Sequence, residues 1–292
     1  MGWIGTGVMG KSMAGHLLKA HGNKPPMTVF NRTASKADDL IANGAKFMTA
    51  KEVAEQSDYV FLMLGHPHDV RNMVLDSDNG ILNHMKPGSY LIDHTTSKPG
   101  LADEIYQHAN KKDIFSVDAP VTGGDFGALS GKLCTMTGGD EEHCEHVKPL
   151  LLTYSQAVER MGGPGAGQHT KAANQIIIAS TMMGNVESLI YGHKAGLDLN
   201  KMIQLLMGGS AGNTNLTKVG PKMLKRDFDP GFYVEHFVKD LGIVLDECRA
   251  LDISLPSTAL AHQFYQALVA QGGARMGTHG LLTTLEKFNN TQ

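Results

Sequence analysis

At 292 residues the chain exceeds the usual size of one domain, so two domains are expected, and 41% hydrophobic with 19% charged residues suits a globular protein with a sizeable core. A net charge of -3 gives no electrostatic case for nucleic acid or an anionic membrane as a partner. No signal peptide precedes the first glycine and no apolar run approaches the roughly 20 residues of a membrane span, while three widely spaced cysteines without CxxC spacing read as reduced thiols of a cytoplasmic protein.

The first half alternates short apolar runs with amphipathic stretches, the pattern of a parallel sheet with helical crossovers. Strands are predicted at 2–5, 27–31, 59–64, 90–93 and 115–118, with helices at 11–20, 35–43 and 101–109. Met1 must already lie within the first strand, so either that strand is short or the N-terminus has been clipped or misassigned. Two further strands, 134–137 and 157–161, flank a helix over 141–154. The β signal ends after Gly167, and the remainder reads as helices, with 172–194 long and apolar enough to be buried on several sides. A Gly/Pro-rich stretch at 161–167 suits the bend between a nucleotide-binding domain of residues 1–163 and a helical domain of residues 164–292. The expected class is therefore α/β, a Rossmann-type doubly wound sheet followed by an all-α domain. His66 and His68 flank a proline in a predicted loop, the other histidines are scattered, and no metal site is expected. The sixteen methionines, including Met182, Met183 and Met202, read as core filler.

Gly5-Thr6-Gly7-Val8-Met9-Gly10 follows a predicted strand and precedes a helix, which turns a weak pattern into a dinucleotide signal. The first glycine permits a tight turn, the second lets backbone approach a pyrophosphate, and the third allows close helix–strand packing. An acidic residue about 20 positions on would bond the ribose of NAD. Here the second strand ends instead in Asn31-Arg32-Thr33, where Arg32 can pair with a 2′-phosphate and Asn31 and Thr33 can donate to it. The loop thus predicts NADP, with NADPH the preferred form and NAD the alternative.

Asp118-Ala-Pro-Val-Thr122-Gly123-Gly124 leaves the fifth predicted strand at its carboxyl end, where ligands bind in doubly wound sheets. The Thr122 hydroxyl and the amides of Gly123 and Gly124 can hold a small carboxylate, after which Ala128, Gly131 and Leu133 continue into the next strand. A Gly-rich turn, Gly165-Ala-Gly167, then feeds a helix carrying Lys171 and Asn174, three residues apart and so on one face.

These segments, with Gly2–Gly10, Met13-Ala14 and Lys239-Asp240-Leu241, make the chain resemble the β-hydroxyacid dehydrogenases, the family of 3-hydroxyisobutyrate dehydrogenase, tartronate semialdehyde reductase and the glyoxylate/succinic semialdehyde reductases. The resemblance implies that Lys171 is the catalytic lysine and Asn174 the amide that orients substrate and lysine. It also implies that Thr122, Gly123 and Gly124 form the substrate-carboxylate loop and that Leu64, Gly65, Thr96 and Lys239 contact the cofactor. The chain departs from the family pattern at Gly65, where many members have Pro, and at Met276-Gly-Thr-His-Gly280, where many have an acidic residue.

Reduction of an aldehyde needs a hydride at carbon and a proton at the forming alkoxide, which an ammonium at Lys171 can donate while stabilising the developing charge. In the oxidative direction a neutral amine must accept the proton, so its pKa should be depressed by desolvation. Three rival readings stand beside this one. In non-catalytic NADP-binding modules and in imine reductases of similar architecture the lysine is replaced or absent; a decarboxylating sugar-acid dehydrogenase needs a larger helical domain. The substrate stays open among succinic semialdehyde, glyoxylate, tartronate semialdehyde and 3-hydroxyisobutyrate, since one methylene discriminates by only ~1–3 kcal/mol. The apolar helix with Ile176, Ile177, Ile178 and Leu189 predicts a homodimer or homotetramer made through the helical half.

Overall fold

The computed structural model describes residues 1–22 and 26–291, which pack as two units, Met1–Lys171 and Ala172–Gln292. In the first unit the elements run β1 (Gly2–Ile4), α1 (Val8–His21), β2 (Thr28–Phe30), α2 (Asp38–Ala42), β3 (Lys46–Phe47), α3 (Ala50–Gln56), β4 (Tyr59–Leu62) and α4 (Pro67–Leu75). They continue with β5 (Tyr90–Asp93), α5 (Pro99–Asn110), β6 (Phe115–Asp118), β7 (Val121–Thr122), α6 (Gly124–Ser130), β8 (Leu133–Gly138), α7 (Glu141–Leu151) and β9 (Ser155–Gly162). The strand order is β3-β2-β1-β4-β5-β6-β8-β7, with β9 paired to β8.

Strands β1 to β6 are mutually parallel, and the order reverses between β1 and β4, so the chain leaves both strands at one crevice. Alternate residues of these strands face opposite ways and both faces are covered, which is why the strands read as continuous apolar runs. Trp3, Phe61 and Ile92 pack with Met13 and Leu17 of α1 and Val147 of α7 on one face. Ile4, Val60, Leu62 and Leu91 pack with Val53 of α3, Val70 of α4 and Ile105 of α5 on the other. The α/β class with a Rossmann-type sheet and a helical second half is what the structure shows.

Two local expectations are corrected. The sheet is not wholly parallel, because β8 runs antiparallel to both β6 and β7. The stretch after Gly124 first forms α6, whose buried Gly127 and Ala128 need a close-packed helix contact, and the next strand begins only at Leu133. His16 of α1 caps that helix, its Nε2 lying 3.1 Å from the carbonyls of both Ala128 and Leu129.

Helix α8 (Ala166–Lys194) begins in the first unit and continues into the second, followed by α9 (Leu199–Met207), α10 (Thr214–Leu224), α11 (Val234–Ala250), α12 (Pro256–Leu268) and α13 (Leu281–Phe288). The second unit's core gathers Met182 and Val186 of α8, Phe237 and Leu241 of α11, Tyr265 of α12 and Leu281 of α13. Among the described residues, no helix is long and apolar enough to cross a membrane.

Candidate active site

The glycine loop is made by close approaches at its ends and openness in its middle. Gly5 holds φ +98 and its N–H donates to the Phe30 carbonyl at 2.9 Å. At Gly10 a Cβ would strike the Gly5 carbonyl, whereas at Gly7, the residue before α1, it would meet nothing within 4 Å. The Trp3 indole N–H donates to the Gly5 carbonyl at 2.9 Å, and its ring stacks on Phe61 and His94. Thr6 is buried and its Oγ1 has no hydrogen-bond partner. An open helix start beside an orphaned hydroxyl fits a bound pyrophosphate. Val8 is exposed and Met9 half-buried at the same start.

At the end of β2, Asn31 braces this loop: its Oδ1 accepts from the Thr6 N–H and its Nδ2 donates to the Thr33 carbonyl, both at 2.9 Å. That leaves one amide hydrogen for a ligand. The Arg32 side chain is 92% exposed, and Asp69 lies 3.9 Å away, so a carboxylate stands closer to it than the sequence around β2 implied. Asp69 caps α4, accepting from the His66 N–H at 3.1 Å. The rings of His66 and His68 stack at 5.2 Å. Thr33 is exposed.

On the neighbouring strands, the Leu64 N–H donates to the Thr95 hydroxyl at 2.9 Å. A Cβ at Gly65 would lie 3.4 Å from Asp69, which is ordinary contact. Thr96 is half-buried. Gln168, in the first turn of α8, reaches across to this loop: its Oε1 accepts from the Ser97 N–H and its Nε2 donates to the Thr95 carbonyl.

Lys171 is 8% exposed and its Nζ donates to the Val121 carbonyl at 2.9 Å. The ammonium therefore stands at the edge of the Thr122–Gly124 segment, where Thr122 is half-buried, Gly123 holds φ +130 and Gly124 opens α6. Asp118 underlies both partners. Its carboxylate accepts from the Gly165 N–H at 2.9 Å and the Gln168 N–H at 2.8 Å, while burial pushes the carboxyl up to about 6 against those bonds. Space for it is cleared by glycines: a Cβ on Gly167 would sit 2.7 Å from Asp118 Oδ2, and one on Gly138 would sit 2.7 Å from the Gly167 nitrogen.

His94 supports the same loop from below. Its Nδ1 lies 2.6 Å from the Ala119 carbonyl and its Nε2 2.9 Å from the Tyr154 hydroxyl. A carbonyl only accepts, so Nδ1 carries the proton and Nε2 accepts from Tyr154. Complete burial drives His94 down to about 4 and keeps it neutral.

In the second unit, Asn174 Nδ2 donates to Gln175 Oε1 at 2.7 Å, and Gln175 Nε2 donates to Asp240 Oδ2 at 2.6 Å. Asp240 is 2% exposed, and Lys239 Nζ lies 2.8 Å from its other oxygen. Asn174 and Lys239, far apart in sequence, are thus linked through Gln175 and the buried Asp240 carboxylate. His279, within the divergent Met276–Gly280 stretch, is buried and donates from Nε2 to the Asp227 carbonyl at 2.8 Å.

Residues 1–163 match the family described as the NAD binding domain of 6-phosphogluconate dehydrogenase, and residues 165–285 that described as NAD-binding of NADP-dependent 3-hydroxyisobutyrate dehydrogenase. A probable 3-hydroxyisobutyrate dehydrogenase-like protein of Arabidopsis thaliana, named as mitochondrial, is 52% identical over 99% of this chain and 86% of its own length. The chain belongs to the β-hydroxyacid dehydrogenases. It is an NAD(P)-dependent oxidoreductase acting on CH–OH groups. The 2-hydroxy-3-oxopropionate reductase of Escherichia coli is 36% identical, covering 99% of this β-hydroxyacid dehydrogenase and 98% of the relative. The 3-hydroxyisobutyrate dehydrogenase of Mycobacterium tuberculosis, solved with L-serine, superposes with a TM-score of 0.86 at 27% identity, over 97% and 98% of the two chains.

Sequence reasoning passed over Asp69, Asp118, Gln168 and Asp240 as site residues. For Asp69 a signal was present: Pro67 at a helix start with Asp69 two positions on announces a capped helix rather than a loop. For Asp118 and Gln168 no local signal exists, because their partners lie 47 to 73 positions away.

Proposed function

We propose that this β-hydroxyacid dehydrogenase interconverts a small β-hydroxyacid and its semialdehyde, or a short 2-oxo acid such as glyoxylate, with NADP(H) as cofactor and Lys171 as general acid and base. The observation that carries the reading is the buried Lys171 ammonium bonded at 2.9 Å to Val121, the residue directly before Thr122, Gly123 and Gly124.

The Gly5–Gly10 loop would hold the pyrophosphate at the start of α1, with Arg32, Asn31 and Thr33 toward the 2′-phosphate and Leu64, Gly65, Thr96 and Lys239 as further contacts. Reduced nicotinamide bound there supplies the hydride. The Thr122 hydroxyl and the Gly123 and Gly124 amides hold the substrate carboxylate, so that the carbonyl oxygen faces Lys171. The lysine then gives its proton to the oxygen as negative charge develops. In oxidation the same nitrogen takes the proton back. Asn174 keeps the reacting oxygen in line, and its amide is itself oriented by Gln175.

Lys171→Ala should lower kcat by more than ~10²-fold with NADPH binding retained. A fully active variant removes the lysine from the mechanism. A panel of glyoxylate, succinic semialdehyde, tartronate semialdehyde and 3-hydroxyisobutyrate, assayed with both cofactors, identifies the substrate; preference for NADH overturns the reading of Arg32. The side chains of Ile177 and Tyr191 on α8, 65% and 74% exposed, support a homodimer or homotetramer, which a monomer in light scattering contradicts. Three free cysteines suit a reducing compartment, for which we propose the cytoplasm. Mitochondrial import, as in the name of the Arabidopsis relative, is the contrary outcome of imaging the tagged protein.

A further inference from the structure

Two ties hold the start of α8 to the strand-β6 loop. Asp118 binds the amides of Gly165 and Gln168, and three residues further along each segment Val121 accepts from the Lys171 ammonium. The ties close a ring of backbone in which Pro120 restricts one side and helical hydrogen bonding the other. The His94 ring fixes the Ala119 carbonyl inside that ring. From the same helical turn the Gln168 side chain grips the Thr95–Ser97 loop, whose Thr95 hydroxyl in turn accepts from Leu64.

We propose that Asp118 is a positioning residue for the reaction: by fixing the first turn of α8 it sets where the Lys171 ammonium stands against the Thr122–Gly124 loop. This rests on the reading of Lys171 as proton donor. A lysine ammonium sits on a flexible four-carbon stem, so its position is only as definite as the backbone at the two ends of its reach. An error of about 1 Å in such placement can cost ~10²-fold in rate. Burying a carboxylate here is costly, as the upward push on Asp118 records, and a merely space-filling role would be met by an uncharged side chain. At Gly138 a Cβ would meet the Asp118 carboxylate before any other atom, so this strand position is shaped around the group.

The test uses the full chain and whichever panel aldehyde the wild type reduces fastest, with active sites counted by NADPH fluorescence titration. Asp118→Asn should lower kcat per NADPH site about 10- to 100-fold, leave the NADPH Kd and the aldehyde KM within about threefold, and raise the solvent deuterium isotope effect on kcat as proton transfer becomes limiting. Wild-type kcat and isotope effect in Asp118→Asn, with Lys171→Ala inactive, overturn the inference alone. Wild-type activity in Lys171→Ala overturns the proton-donor reading and the inference with it. If Asp118→Asn fails to bind NADPH, Asp118→Glu carries the test, since it keeps the carboxylate and displaces it by one methylene from the Gly165 and Gln168 amides. An unchanged kcat in that variant overturns the proposal, and a fall matching the first expectation supports it.

Discussion

At the Gly5–Gly10 turn the shape comes from missing side chains: the Gly10 Cα lies so near the Gly5 carbonyl that nothing fits between them. At the start of α8 it comes from a side chain that is present, Asp118, contributed from 47 positions away. One place is built by local backbone geometry, the other by a buried polar contact across the fold. Backbone solutions leave a written pattern, glycine at fixed offsets, whereas a buried carboxylate looks in sequence like any other aspartate.

The sharpest way to break this contrast is substitution within the glycine loop. Gly10→Ala should destabilise the first unit by several kcal/mol, read by chemical denaturation, because backbone must move. Gly7→Ala meets open space and should leave stability nearly unchanged while weakening NADPH binding. Equal stability losses at the two sites would show that the turn is not shaped as described.

His94 gives the next effect. Its ordinary value is 6.5 and its folded value about 4, so between these limits the unfolded chain binds more protons and stability falls as pH is lowered. From pH 7 to pH 5 the loss from this group is on the order of 2 kcal/mol. Asp118 works oppositely: raised from 3.8 to about 6, it is protonated more in the folded state, and its contribution falls as pH rises through that window. His94→Gln should therefore be less stable at pH 7 yet lose less on acidification than the wild type, measured by urea unfolding at both pH values.

Trp3→Phe removes the indole donor to the Gly5 carbonyl and should cost about 1 kcal/mol for the bond, with some further loss from the smaller ring. Smallest is Asp69→Asn. Relieving Arg32 of a carboxylate at 3.9 Å should tighten NADPH by about two- to threefold, a fraction of a kcal/mol in keeping with an exposed pair. Weaker NADPH binding in that variant would mean that Asp69 orients Arg32 rather than competing for it.

The same contrast separates what the sequence disclosed from what it withheld. Strands β1, β2, β4, β5 and β6 announce themselves as apolar runs between turn residues, and the long α8 by its continuous apolar character. Helix α6 was hidden because Gly124 and Gly127 argue against a helix locally; packing on α1 and the cap from His16 override that propensity. Strand β3 has two residues, both exposed, and carries no periodicity at all. Of the candidate site residues, the loop glycines, Arg32, Thr122 and Lys171 are legible from patterns local in the sequence. Asp118 and Asp240 are not, since they acquire meaning only once Gly165, Gln168 and Gln175 are brought alongside.

The clearance around Asp118 also bears on how such a chain can change over generations. Gly138 and Gly167 lie on different elements, yet a methyl on either would press into the same small volume as the carboxylate. Each methyl would also meet backbone, the Met136 carbonyl at Gly167 and the Gly167 nitrogen at Gly138, so neither glycine can change without a shift of the chain, whatever stands at 118. The carboxylate can be lost before the glycines are, so a lineage that abandons Asp118 should still hold Gly138 and Gly167.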